Sequence, residues 1–133
     1  MKTEVRKEFI EKTIYIAQDG KIFDNEKECK SWESWLRGKE AVKTCTLQDE
    51  LRYFFKVEDK DTWTDCLTFL GSHLYTHFLE WEDFEEFNGK WVFTEYDVSS
   101  EFYRLRDVDY MKAVLTSEIS ELSNQLEFLN TCM

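Results

Sequence analysis

The sequence predicts an α+β fold: short antiparallel strands and hairpins packed with about three helices, ending in a long Leu-rich C-terminal helix. Three observations carry this. Aromatic and β-branched runs such as 13–17 (TIYIA) and 90–96 (KWVFTEY) stand beside turn residues at Gln18-Asp19-Gly20 and Asn88-Gly89. Other stretches repeat apolar residues at three-to-four spacing over helical lengths. Finally, 133 residues with 42% hydrophobic and 17% aromatic content make one domain, residues 1–133, with enough apolar surface to fold despite its charge. With no proline and four glycines, no segment reads as a linker or a low-complexity tract.

In chain order, the first hairpin runs through 13–17 and returns through Lys21, Ile22 and Phe23. Asp24 or Asn25 then caps a helix, with Glu26, Lys27 and Glu28 in its first turn. Cys29, Trp32, Trp35 or Glu33, and Leu36 share a face expected to lie on the hairpin, and Gly38 is the expected stop. Residues 51–57 (LRYFFKV) read as a half-buried strand. Asp59 or Asp61 caps the next helix, where Trp63, Cys66, Leu67, Leu70, Leu74, Phe78 and Trp81 keep helical spacing across Gly71, to about Glu82. Asn88-Gly89 then turns into a strand over 90–96. Ser99 and Ser100 separate it from 101–106 (EFYRLR), giving a second hairpin.

Asp107 or Asp109 caps the last helix, whose apolar seam is Met111, Leu115, Ile119, Leu122, Leu126 and Leu129. No Lys or Arg follows Lys112, so the last turn lacks the cations that usually complement a helix C-terminus. The seam is either intramolecular packing or a homodimer interface through Leu115, Ile119, Leu122, Leu126 and Leu129.

Charge is unevenly distributed. Residues 1–45 carry ten Lys/Arg against nine Asp/Glu, while 46–133 carry seven against nineteen, so the net −11 belongs to the second part. Such a field repels free nucleic acid and attracts basic surfaces. Residues 79–87 (LEWEDFEEF) set Glu80, Glu82, Asp83, Glu85 and Glu86 between large apolar side chains, and Glu58, Asp59, Asp61 and Asp65 form a second cluster. Carboxylates held at irregular, phosphate-like spacing can occupy a basic groove built for DNA by competing for its Lys and Arg. A solvated face that only keeps the protein soluble is the ordinary alternative.

Signatures of catalysis are missing. Neither GxGxxG nor GxxxxGK[ST] occurs, and no nucleophile elbow surrounds Cys29, Cys45 or Cys66. His73 and His77, with Cys66 and Glu80, could ligate zinc by helical spacing, but the glutamate of a zincin motif is absent, and a surface or core-edge role is the reading taken. Cys29, Cys45, Cys66 and Cys132 form no close pair and read as reduced thiols. No apolar run nears the roughly 18 residues needed to span a bilayer, and the start (MKTEVRKEFIEK) lacks a secretory h-region, so a cytoplasmic protein without cofactor or metal is expected. Trp32, Trp35, Trp63, Trp81 and Trp91 are too many for one small core, which leaves one or two to face a partner.

The run from Tyr15 to Phe23 (YIAQDGKIF), followed by Glu26, Cys29 and Glu33, resembles the opening of small accessory proteins encoded by phages and prophages of Firmicutes. The order of an aromatic strand (KWVFTEYD), a second strand and a Leu-rich closing helix is similar to the same group. That group includes anti-CRISPR and other anti-defence proteins, among them acidic inhibitors and sponges for signalling nucleotides. The resemblance assigns no catalytic residue. The expected function is a phage-type, anti-CRISPR-like inhibitor in the host cell, acting as a DNA mimic. It would bind a basic nucleic-acid-handling host protein through Glu80, Glu82, Asp83, Glu85, Glu86, Asp59, Asp61 and Asp65. One alternative is an oligomeric sponge in which Arg104, Arg106 and Lys112, with Tyr103 or Tyr110, hold a nucleotide. The other is a solvated accessory phage protein.

Overall fold

The structure, a computed structural model, describes residues 1–7, 11–74 and 84–132. It has an α+β architecture built on two antiparallel sheets. The first sheet has the order β1-β2-β3, from β1 (Lys2–Lys7), β2 (Glu11–Ile16) and β3 (Ile22–Phe23). Gly20 makes the β2–β3 turn at φ 89°, a conformation open to glycine, and Asp19 Oδ1 accepts the Lys21 N–H at 3.2 Å. Asn25 caps helix α1 (Glu26–Ala41), its Oδ1 accepting the Lys27 and Glu28 N–H groups at 2.8 and 3.2 Å.

The second sheet has the order β4-β5-β6-β7, from β4 (Lys43–Leu47), β5 (Glu50–Lys56), β6 (Trp91–Asp97) and β7 (Phe102–Asp107). Between β5 and β6 the chain forms α2 (Lys60–His73) and the single turn α3 (Phe84–Phe87). Asp59 caps α2 by accepting the Thr62 N–H at 2.8 Å. Phe55 of β5 and Val57 just beyond its end, Val92 of β6 and Leu105 of β7 pack with Trp63, Cys66, Leu67, Phe69 and Leu70 of α2 and with Phe87 of α3. Strand alternation puts these sheet residues on one face, so α2 fills the principal core while its N-terminal cap stays in water. The opposite face carries Phe93, fully buried, and Arg52, whose guanidinium lies 5.3 Å over the Phe93 ring.

Helices α1 and α2 cross at very close range. A Cβ on Gly38 would enter the Asp65 backbone carbonyl and lie 2.9 Å from Phe69 Cβ, so only glycine permits this approach. The same crossing is fixed by polar groups. Ser34 Oγ donates to Asp65 Oδ1 at 2.6 Å, and Arg37 grips both Asp65 oxygens at 2.8 and 3.2 Å. Glu33, only 3% exposed, faces the α-ammonium of Met1 at 3.0 Å, a contact that is ionic and not an aligned hydrogen bond.

Several expectations need correcting. Gly38 does not stop α1, which continues to Ala41; it is the point of closest helix approach. The buried residues of α1 are Cys29, Glu33 and Gly38, and the helix packs chiefly on α2, with Trp32, Trp35 and Leu36 half-buried. Helix α2 ends at His73 with Leu74 as its C-cap, not near Glu82, and Phe78 and Trp81 lie outside the described residues. Strands β1 and β4 carry no run of large apolar residues and have no counterpart in the sequence reading.

Candidate functional site

The feature that stands apart from the body is the last helix, α4 (Val108–Thr131). Asp107 caps it, accepting the Tyr110 N–H at 2.8 Å. Its root packs against β6 and β7, where Met111 is 4% exposed and Val114 and Leu115 are half-buried. From Thr116 to Cys132 every residue is exposed, including Ile119, Leu122, Leu126, Phe128 and Leu129. Three- and four-residue spacing has therefore built an apolar stripe that the other described residues leave exposed.

A clamp at the root sets where the arm leaves the body. The β4–β5 turn places Gln48 and Asp49 at φ 55° and 61°, a left-handed pair of the kind that two-residue hairpins use. From this turn the Gln48 amide donates to Glu118 Oε1 at 2.7 Å and its oxygen accepts from Arg52 at 3.1 Å. Arg52, 4% exposed, also bonds the Leu47 carbonyl at 3.2 Å and Glu50 at 3.1 Å, while its Nη1 has no hydrogen-bond partner. Sequence reasoning missed this chain from Glu50 to Glu118, because the Gln48–Glu118 contact spans 70 residues.

The predicted acidic site divides into three groups. Glu80, Glu82 and Asp83 lie outside the described residues, while Glu85 and Glu86 are exposed on α3. Asp61 is exposed in the first turn of α2. The other two carboxylates have structural duties: Asp59 caps α2, and Asp65 is locked between Arg37 and Ser34 in the helix crossing. The Thr62 N–H holds the Asp59 carboxyl below its ordinary range, and the Asp65 hydrogen bonds hold the Arg37 guanidinium above its own.

The cationic and nucleophilic groups are likewise engaged. Arg104 pairs with Asp97 at 3.1 Å, and Arg106 pairs with Glu95 at 3.4 Å while lying 4.7 Å over the Tyr110 ring. Both arginines border a cavity of about 470 Å³ along β7, also lined by Glu86, Phe87 and Tyr103. Burial pushes the Cys66 thiol up to about 12, with Asp65 adding to the shift, and burial also raises Cys29; both stay protonated thiols at neutral pH. His73 is exposed and shares a 3.0 Å hydrogen bond with the Tyr53 hydroxyl, while His77 lies outside the described residues. Among the described residues no group of three or more His, Cys, Asp or Glu is placed to hold a metal.

The tryptophans separate by exposure. Trp63 is core, Trp91 is 41% exposed, and Trp81 is outside the described residues. Trp32 stacks on Trp35 at 5.0 Å, donates to Asp19 at 2.9 Å and receives the Lys21 ammonium 4.0 Å above its ring. Among the described residues no helix is long and apolar enough to cross a membrane. No family model matches the chain, and neither a curated protein nor a solved structure matches it.

Proposed function

We propose that this chain is a binding protein, not an enzyme: a phage-type inhibitor that engages a basic, nucleic-acid-handling host protein through its acidic surface. The observation that carries the reading is how the few cations of the second part are used. Of the seven in residues 46–133, Arg52, Arg104, Arg106 and Lys90 already face Glu50, Asp97, Glu95 and Asp107. The exposed carboxylates of Glu58, Glu86, Glu101, Glu121 and Glu127 carry no ion pair among the described residues. The surplus negative charge therefore points outward, where it steers a basic partner and repels free nucleic acid.

Burial of the Cys29 and Cys66 thiols supports binding over nucleophilic chemistry, and the resemblance to phage accessory proteins supplies the setting. Inhibition would come from steric and electrostatic occlusion of a nucleic-acid groove. The test is a competition assay, with a purified CRISPR effector displaced from its DNA by this protein at several salt concentrations. Inhibition should weaken as salt rises and should vanish when Glu80, Glu82, Asp83, Glu85 and Glu86 are reversed to Lys. Inhibition that survives the reversal unchanged overturns the proposal.

A further inference from the structure

The exposed stripe of α4 has the pattern of a pairing seam. Taking Ile119 and Leu126 as a positions makes Leu115, Leu122 and Leu129 d positions, the apolar heptad seam of a coiled coil. Its exposed members, Ile119, Leu122, Leu126 and Leu129, are 65, 63, 60 and 62% exposed, with Phe128 at 67% beside them. Covering the four seam side chains removes on the order of 500 Å² from each helix, a substantial part of the roughly 800 Å² per partner of a standard interface.

We propose that the occupant of this seam is a second copy of the chain, running antiparallel. A two-fold axis at Asn124 sets Ile119 opposite Leu129 of the other copy and Leu122 opposite Leu126, so the four exposed seam residues pair only with one another. The flanking rows then oppose Thr116 to Asn130, Ser123 to Ser123, Gln125 to Gln125 and Glu118 to Cys132, and no like charges meet. The same flanks disfavour a basic helix as occupant. Their one carboxylate, Glu118, is already held by Gln48 at 2.7 Å, and Glu121 and Glu127 lie outside both rows.

Electrostatics chooses the direction. In chains of net charge −11, parallel pairing would set the two bodies side by side and align the two helix dipoles. Antiparallel pairing puts the bodies at opposite ends and opposes the dipoles. It also brings a neighbouring helix alongside the C-terminal turns, which have no cation of their own.

Analytical ultracentrifugation of the full chain over a wide concentration range should show a monomer–dimer equilibrium. The double variant Leu122→Glu/Leu126→Glu should raise the dimer Kd by at least ~100-fold. Because these side chains are exposed, the melting temperature of the dilute monomer should not move. A nitroxide on Cys132 in a Cys45→Ser background reads the direction, since Cys29 and Cys66 are buried. Antiparallel pairing separates the two labelled residues by about 24 Å along the axis, at about 1.5 Å per residue. A monomer at every concentration, a higher oligomer, a dimer indifferent to the double variant, or a label distance under about 15 Å overturns the proposal.

Discussion

Gly38 governs how close the two central helices can come. Alanine at an ordinary helix position gains up to about 1 kcal/mol over glycine. Here the added methyl would meet the Asp65 carbonyl and Phe69 Cβ, backbone and the stem of a core side chain that cannot swing away. The clash decides the sign, and Gly38→Ala should cost about 3 kcal/mol or more. Urea unfolding checks this: a midpoint equal to or above that of the parent would mean that the helices do not cross as described. The same neighbourhood explains why the role of Gly38 and the structural contact of Asp65 were not legible in the sequence. Glycine is a helix stop in isolation, and Asp65 sits in an acidic run, but the partner that redefines both is in α1, with Arg37 28 residues from Asp65. Local pattern carries no information about such a contact.

At the scale of elements, legibility follows how local the determinant is. Asn25, Asp59 and Asp107, each one of the two candidates the sequence offered, cap their helices, because a cap is settled within three residues. The β2–β3 and β6–β7 turns were legible for the same reason, whereas the β4–β5 turn at Gln48 and Asp49 was not read. Strands β1 and β4 were not, since Lys2–Lys7 and Lys43–Leu47 sit at sheet edges and carry polar, charged and threonine side chains instead of an apolar alternation. For α4 the sequence identified the stripe but could not say what covers it, and among the described residues nothing covers it from Thr116 onward. The arm should therefore contribute little to the body. Truncation after Ser120, which keeps the Gln48–Glu118 clamp, should leave the melting temperature within about 2 °C of the parent when both are dilute enough to be monomeric. A larger fall would show that residues 121–133 support the core.

Across the whole molecule, two pH effects oppose each other. The chain carries −11 at pH 7 and has a pI near 4.6, so moderate acidification first relieves its self-repulsion. Further down, Asp19, Asp59 and Asp97 protonate. Each is held below its usual value of 3.8: Asp19 mainly by the Trp32 N–H, Asp59 by the Thr62 N–H, and Asp97 by the Ser99 hydroxyl and N–H. A carboxyl that is more acidic folded than unfolded stabilises the fold above its unfolded pKa and loses that contribution as pH falls through its folded value. All three sit at chain reversals or a helix cap: the β2–β3 turn, the α2 N-terminus and the β6–β7 turn. Losing them loosens both sheets and the core helix together. Denaturant midpoints measured from pH 7 downward should hold or rise toward about pH 4.6 and fall steeply below about 3.8. The Asp59→Asn/Asp97→Asn double variant should flatten the acid limb while leaving the relief of repulsion in place. If the acid limb kept its full slope in that variant, other carboxylates would control acid unfolding, and Asp59 and Asp97 would be secondary.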